Sequence, residues 1–116
     1  MVTDQFKKIE IKIKFRIGGM FINKFHSSKN IYLPSPSWGN HYPIFKDSGL
    51  NVKTYTYYDK ATKGLDFEAC VKDISEIEEG ATILLHACAH NPTGVDPSKE
   101  QWDAISKVDK LQIVFV

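Results

Sequence analysis

Two short segments carry side chains suited to holding a planar, polar ligand. Residues 35–41 read Ser-Pro-Ser-Trp-Gly-Asn-His, and residues 86–94 read His-Ala-Cys-Ala-His-Asn-Pro-Thr-Gly. An indole in a proline-rich loop, such as that of Trp38, offers a flat π-face to a heteroaromatic ring. Asn91 precedes Pro92, which makes its amide a rigid donor at a peptide bond where the cis form is tolerated. By residue type alone, each segment is equally typical of an ordinary turn.

A zinc site is an alternative interpretation of the second segment. His86, Cys88 and His90 alternate, so they would share one face if the preceding strand continued. The Asn-Pro pair that follows ends such a strand, and no second cluster of ligands lies nearby in the sequence. We therefore expect no metal site. Cys70 falls on the apolar face of a predicted helix, and neither cysteine has an activating partner close in sequence, so we expect no thiol nucleophile.

Hydrophobic periodicity predicts strands and helices in alternation. Residues 9–17 alternate between apolar and charged side chains, which predicts a strand with one wet face, whereas residues 17–25 have a spacing closer to a helical stripe. Asp66 is placed to cap one helix, and Ser98 with Gln101 matches a capping box that opens another. The further predicted strands cover residues 30–33, 52–57, 82–85 and 111–116.

This order of elements predicts an α/β fold with a mostly parallel sheet flanked by helices. Residues 82–85 are apolar on both faces, which is typical of a strand buried inside a parallel sheet. Both polar segments directly follow predicted strands. Because ligands of open α/β sheets bind beyond the carboxyl ends of the strands, we expect both segments at one edge of the sheet.

Composition excludes several classes of function. The chain has 116 residues, 15 Lys+Arg, 14 Asp+Glu and a formal net charge of +1. Such a balance argues against a nucleic-acid-binding protein, and no apolar run is long enough to cross a bilayer. The length allows one domain at most. Two cysteines favour a reducing compartment, and no targeting segment is visible.

Residues 16–116 resemble the aspartate aminotransferases almost without gaps. The resemblance is carried by the two polar segments, by Ile-Tyr-Leu-Pro at residues 31–34 and by Tyr-Tyr-Asp at residues 57–59. The string over residues 86–94 is close to diagnostic of this family. The amino-acid sequence of these segments is more similar to the mitochondrial form than to the cytosolic one.

The resemblance implies part of the large domain of a fold-type I enzyme that depends on pyridoxal 5′-phosphate. Such enzymes exchange the amino group between L-aspartate and 2-oxoglutarate, giving oxaloacetate and L-glutamate. Their active sites lie at a homodimer interface. Small amino acids and 2-oxo acids are thus the implied partners, and neither nucleic acid nor membrane is expected. The implied location is the mitochondrial matrix, with the cytoplasm as the alternative.

The resemblance also assigns roles to four residues. Trp38 would stack on the cofactor ring and lie beside the substrate. Asn91 would donate to the phenolic oxygen of the ring and reach toward the substrate carboxylate. His41 and His86 would surround the carboxylate that pairs with the pyridinium nitrogen. The peptide bonds that precede the prolines in both segments match positions where the family has cis bonds.

The sequence departs from the family at several positions. A Ser-Gly-Thr-Gly loop precedes a helix near Arg16 in the family and holds the cofactor phosphate, but residues 8–13 here read Lys-Ile-Glu-Ile-Lys-Ile. The aspartate that pairs with the pyridinium nitrogen, expected just after Val116, has no counterpart. The lysine that forms the Schiff base, which is the catalytic residue of the family, has no counterpart either. The arginines that bind the substrate carboxylates also have none.

Two expectations follow from these departures. The first is a divergent N-terminal segment at residues 1–15, followed by a partial aminotransferase large domain at residues 16–116. Such a fragment would not transaminate alone. The second is a non-catalytic interaction or regulatory fragment that pairs with a full-length aminotransferase subunit, an alternative favoured by the amphipathic strand predicted at residues 9–17.

Overall fold

The described part of the chain forms a four-stranded parallel sheet with helices on both sides and a separate two-stranded antiparallel ribbon. A computed structural model describes residues 2–108 and 110–115, and within them the side chains of residues 12–108, 110 and 111. The helices are α1 (Val2–Phe25), α2 (His41–Asp47), α3 (Phe67–Glu76) and α4 (Lys99–Ser106). The strands are β1 (Asn30–Ser35), β2 (Asn51–Thr56), β3 (Tyr58–Asp59), β4 (Gly64–Leu65), β5 (Thr82–Leu85) and β6 (Gln112–Phe115).

The sheet has a topological switch point between β1 and β5, because β2 is added on one side of β1 and the later strands on the other. Its strand order is β2-β1-β5-β6, and all three pairs are parallel. The chain leaves β1 for β2 through α2, then returns to the other side of β1 as β5 and continues through α4 to β6. The predicted α/β fold with a parallel sheet is confirmed. In such sheets, the carboxyl ends at the reversal point form the crevice where ligands bind.

Each face of the sheet carries its own hydrophobic core. On one face, Ile31 and Leu33 of β1 pack with Phe45 of α2. On the other, Ile83 and Leu85 of β5 pack with residues of β2, α3 and α4. All four residues of β5 are buried, so the prediction of a strand covered on both faces is confirmed.

Local signals identified the two later helices correctly. The Asp66 side chain accepts from the backbone N–H of Ala69 and opens α3. Ser98 and Gln101 form both bonds of a capping box at the start of α4. Cys70 is buried in the core, as its place on an apolar helical stripe predicted. None of the helices in the described part of the chain is long and apolar enough to cross a membrane.

Three predicted strands have different bounds in the structure. β2 covers Asn51–Thr56 rather than the predicted residues 52–57. β1 continues through Pro34 to Ser35, beyond the predicted end at residue 33. β1 pairs with β2 along its whole length but with β5 at Ile31 and Tyr32. Pro34 lies beyond the part of β1 that pairs with β5, so it has a paired strand on one side and its missing N–H is tolerated. β6 occupies four of the six residues predicted as the last strand, and Val116 lies outside the described residues.

The prediction of a strand over residues 9–17 is wrong, because these residues lie inside the 24-residue helix α1. The alternating apolar residues do not share one environment. Phe15 packs against the core, whereas Ile13 and Ile17 are 52% and 61% exposed. The residues that face the core are Phe15, Gly19 and Ile22, spaced as one helical stripe. Packing of this stripe, rather than the period-two pattern, determines the conformation.

Gly19 allows α1 to lie close to the end of α2. A Cβ atom at this position would lie 2.7 Å from Ser48 Oγ and 3.2 Å from a ring carbon of Phe45. The Ser48 hydroxyl also lies 3.4 Å from the carbonyl oxygen of Arg16. The neighbouring Gly18 has open space, since a Cβ there would meet nothing within 4 Å. Both glycines lie within α1, but a side chain at Gly19 would clash with Ser48, whereas a side chain at Gly18 would meet open space.

We expect Gly19→Ala and Gly18→Ala to change stability in opposite directions. Overpacking against α2 should lower the free energy of unfolding of Gly19→Ala by about 1–3 kcal/mol. Removing glycine from an open helical position should raise that of Gly18→Ala by about 0.5–1 kcal/mol. Urea unfolding followed by circular dichroism measures both, and equal effects of the two substitutions would contradict the packing of α1 on α2.

Candidate functional site

The loop after β1 carries a buried serine, a half-buried tryptophan and a buried histidine. The peptide bond before Pro36 is cis, as the resemblance implied. Ser37 and His41 are 5% and 1% exposed, and His41 begins α2. The backbone N–H of His41 donates to the carbonyl of Trp38 over 2.9 Å, which closes the turn between them.

The loop after β5 is folded on itself and presents Asn91 at the surface. His86 and His90 are buried, whereas Asn91 is exposed and followed by a cis peptide bond. The N–H of Gly94 donates to the carbonyl of His90 over 2.7 Å. Within the described residues, the side-chain amide of Asn91 has no hydrogen-bond partner, so it is available to a ligand.

The two loops meet at the carboxyl ends of β1 and β5. Ser37 Oγ lies 2.8 Å from His41 Nδ1 in its own loop and 3.2 Å from His86 Nε2 in the other. A groove of about 500 Å³ includes residues of both loops in its lining. Its lining residues are Ser35, Pro36, Tyr58, Lys60, Pro92 and Thr93. The expected convergence of the two segments at one edge of the sheet is therefore present.

A chain of hydrogen bonds connects Asn91 to His41, and its direction can be assigned. The backbone N–H of Asn91 can only donate, so His86 Nδ1 accepts it, over 3.3 Å. Neutral His86 then carries its proton on Nε2 and donates to Ser37 Oγ. The Ser37 hydroxyl donates in turn to His41 Nδ1, which leaves the His41 proton on Nε2.

His41 Nε2 is buried and has no hydrogen-bond partner among the described residues. By the direction of the hydrogen-bonded chain, this nitrogen carries a proton that none of the described residues accepts. Buried donors in folded proteins are nearly always paired, because leaving one unpaired costs about 1–3 kcal/mol. The atom therefore marks a place where a further acceptor completes the site.

Burial keeps the histidines of this cluster neutral near pH 7. Burial, with a smaller effect of His86 and His90, lowers the pKa of His41 to about 4. Burial and the neighbouring His86 lower the pKa of His90 to about 4, although Asp96 opposes them. Burial also lowers the pKa of His86. Neutral rings are the form that the assigned hydrogen bonds require.

Aromatic contacts fix the position of Trp38. Its ring centroid lies 5.2 Å from that of His41 in an edge-on arrangement and 6.4 Å from that of Phe15. Phe15 also lies edge-on to His41 and Phe45, with centroids 5.0 and 6.2 Å away. The indole therefore leans on α1 and α2 and remains half-buried, which leaves part of its surface for a ligand.

Sequence reasoning brought four residues together and missed two others. The predicted residues Trp38, His41, His86 and Asn91 lie in the two converging loops, connected through the contacts above. Ser37 was not assigned a role although it bridges both histidines. Asp96, which accepts two backbone N–H groups of the second loop, was missed as well. Their type gave no signal, since serine and aspartate are common in loops.

The geometry does not favour the zinc alternative. β5 ends at Leu85, before the three alternating residues. His86 and His90 are buried, but Cys88 is exposed. Within the part of the chain that the structure describes, no group of three His, Cys, Asp or Glu side chains could hold a metal ion.

Several curated proteins are similar to this chain. The mitochondrial aspartate aminotransferase of Xenopus tropicalis is 54% identical over 101 residues, which cover 86% of this chain and 24% of that protein. The mitochondrial aspartate aminotransferase of Gallus gallus is 55% identical over 96 residues, which cover 82% and 23%. A cytoplasmic aspartate aminotransferase of Oryza sativa subsp. japonica is 50% identical over 93 residues, which cover 80% and 23%.

Solved structures of aspartate aminotransferases are similar to this chain in fold. A mitochondrial aspartate aminotransferase from Trypanosoma brucei matches with a TM-score of 0.78 and 43% identity, covering 81% of this chain and 25% of that one. The aspartate aminotransferase from Saccharomyces cerevisiae cytoplasm matches with a TM-score of 0.83 and 40% identity, covering 87% and 25%.

The matches cover most of this chain but only part of each relative. The chain spans about a quarter of the length of the curated relatives it matches. The model of the aminotransferase class I and II family matches residues 14–116, which include both converging loops. The chain therefore belongs to the aminotransferase class I and II family.

Proposed function

We propose that this chain forms the cofactor-facing edge of an aspartate aminotransferase. One observation carries the proposal: the loops after β1 and β5 converge at the reversal point of the sheet, where the Ser37 hydroxyl bridges the two buried histidines His41 and His86. The similar proteins are named aspartate aminotransferases, and the family resemblance adds 2-oxoglutarate as the second substrate and a homodimer as the assembly. We propose the mitochondrial form, with a cytoplasmic location as the alternative.

The residues present fit pyridoxal 5′-phosphate. This cofactor is a planar pyridine ring with a phenolic oxygen, and it serves as the electron sink for a carbanion at the substrate Cα. Trp38 offers a half-buried indole to the face of such a ring, and Asn91 offers an unpaired amide to its phenolic oxygen. The unpartnered Nε2–H of His41 fits a carboxylate acceptor that pairs with the pyridine nitrogen.

The hydrogen-bonded chain would hold the ring partners in position. Asn91 and His41 are its two ends, and Ser37 and His86 lie between them. Because each link has one assigned direction, His41 can only donate at Nε2 while His86 stays neutral. A donor there favours an ionised carboxylate on its other side, which in turn favours a protonated pyridine nitrogen. The hydrogen-bonded chain would thus favour the protonated pyridine nitrogen without taking part in proton transfer from the substrate.

This polypeptide supplies part of the machinery. Residues 8–13 lie within α1 and contain no Gly, Ser or Thr that resembles a phosphate-binding loop. No residue of the chain corresponds to the Schiff-base lysine or to the substrate arginines. We therefore propose that the 116-residue chain does not transaminate when it is alone. The alternative of a separate interaction fragment has lost its support, since the strand predicted at residues 9–17 is helical.

A chimeric enzyme tests the proposed activity. Residues 16–116 would replace the matching segment of the aspartate aminotransferase of Gallus gallus, which is 55% identical over the match. We expect the chimera to transfer the amino group of aspartate to 2-oxoglutarate, as measured by the oxaloacetate formed. The unmodified enzyme is the control, and a folded, cofactor-loaded chimera without activity would contradict the proposal.

Ligand binding by the chain itself tests the assigned residues. Pyridoxine 5′-phosphate shares the ring and the phenolic oxygen of the cofactor but has no aldehyde, so it does not react with lysines. In a Trp102→Phe variant, we expect it to quench the emission of Trp38 saturably. Asn91→Ala should weaken this binding about 2- to 10-fold, which corresponds to one hydrogen bond of about 0.5–1.5 kcal/mol.

The matched control exchanges the two tryptophans. Trp102 lies in α4 and packs against the core formed by β2, α3, α4 and β5, on the other face of the sheet from α1 and α2. In a Trp38→Phe variant, the emission of Trp102 should not respond saturably to the ligand. Equal quenching of both tryptophans would contradict the assignment of Trp38 to the ligand site. Unchanged affinity in Asn91→Ala would contradict the assignment of Asn91.

Acidification should destabilise the fold between pH 6.5 and about pH 4. The pKa values of His41 and His90 are lowered from 6.5 to about 4, so the unfolded chain binds protons first. Their contribution to stability is therefore complete above pH 6.5 and is lost as the pH falls toward 4. Urea unfolding at several pH values should show this slope. His41→Gln should reduce it, because one of the histidines with a lowered pKa is then removed.

A further inference from the structure

The carboxylate of Asp96 clamps two consecutive amides of the loop after β5. Its Oδ2 accepts from the N–H of Ala89 over 2.9 Å, and its Oδ1 accepts from the N–H of His90 over 2.9 Å. The two amides converge because Ala89 has a φ of +50°, in the left-handed region. Successive amides in this conformation form a concave site for an anion. Here the anion is a side chain of the same loop.

The clamp lies immediately before Asn91. On the other side of Asn91, the turn is closed by the bond from Gly94 N–H to the carbonyl of His90. Thr93 Oγ1 adds a contact of 2.6 Å with His90 Nδ1. Because the side-chain amide of Asn91 has no partner of its own within the described residues, its direction depends on this backbone.

We propose that Asp96 is a positioning residue that holds Asn91 toward the ligand by fixing the backbone of residues 89 and 90. The proposal rests on the function proposed above, since it takes Asn91 as a ligand-binding residue. It also assigns a reason for the left-handed Ala89, whose conformation brings the second amide onto the carboxylate. Asp96 itself would not touch the ligand.

The carboxylate remains charged throughout the neutral range. Its bonds to the backbone of His90 and Ala89 lower the pKa of Asp96, and the nearby rings of His90 and His86 act in the same direction. The hydroxyl of Tyr57, the remaining ionisable group that interacts with it, is protonated at neutral pH because burial raises its pKa. The clamp is therefore closed under the conditions in which an aminotransferase works.

A double-mutant cycle separates positioning from general stability. All variants carry Trp102→Phe, and pyridoxine 5′-phosphate is the probe. Asp96→Asn should weaken probe binding about 2- to 10-fold, as Asn91→Ala does, and should have no further effect when Asn91 is already alanine. Asp103→Asn, which removes an equal charge from an exposed side chain of α4, should leave the affinity unchanged.

Amide resonances supply a readout that does not involve the ligand. In the unmodified chain, the Ala89 and His90 N–H signals should shift together as Asp96 titrates at low pH. In Asp96→Asn this common shift should be absent, while the Gln101 N–H, bonded to Ser98, serves as an unchanged reference. Asp96→Ser, which keeps one acceptor, replaces Asp96→Asn if that variant does not fold.

The outcomes distinguish the two proposals. Normal probe binding with additive effects of the Asp96 and Asn91 substitutions would overturn the positioning role alone. Independent titration of the Ala89 and His90 signals would overturn it as well. Absence of probe binding by the unmodified chain would overturn the assigned ligand site and with it the role of Asp96 toward the ligand. Non-additive losses together with the common titration support the inference.

Discussion

The Ser37 hydroxyl is the contact on which the candidate site depends. It bonds to His41 in its own loop and lies within hydrogen-bond distance of His86, which is 49 residues further along the chain. A hydroxyl can accept one proton and donate another, so it connects two neutral imidazoles in a defined order. A side chain that only donates or only accepts could not form both bonds with these tautomers. Together with the Asn91 N–H, which donates to His86 Nδ1, this bridge assigns the protonated nitrogen of each histidine.

The sheet provides the geometry that makes the bridge possible. β1 and β5 are adjacent although β2, α3 and the short β3–β4 ribbon separate them in sequence. Their carboxyl ends meet because the four strands of this sheet are parallel, and Ile31 and Tyr32 of β1 pair with Thr82 and Ile83 of β5. A one-residue slip of β5 would move each of its side chains to the opposite face of the sheet and displace His86 from Ser37. Core packing and site geometry are thus set by the same strand.

Features with a strong local cause could be predicted from the sequence, and features produced by tertiary packing could not. The cap at Asp66, the capping box at Ser98 and the buried β5 each have their cause within a few residues. The convergence of the two polar segments followed from the strand order and the resemblance. Residues 9–17 of α1 were mistaken for a strand, because the docking of Phe15 and Gly19 on α2 overrides the alternating pattern. Ser37 and Asp96 were missed, since their importance arises from partners that the sequence does not reveal.

Phe15 gives α1 a mechanical connection to the site. Its ring contacts those of Trp38, His41 and Phe45, while Gly19, one turn later, fixes the distance between the two helices. With the pivot at Gly19, a tilt of α1 would displace the phenyl ring and with it the indole that leans on it. A change in the tilt of the N-terminal helix, whose first part lies outside the family match, would therefore change the position of the tryptophan. Substitutions far from any ligand could in this way change how tightly the indole closes on a ring.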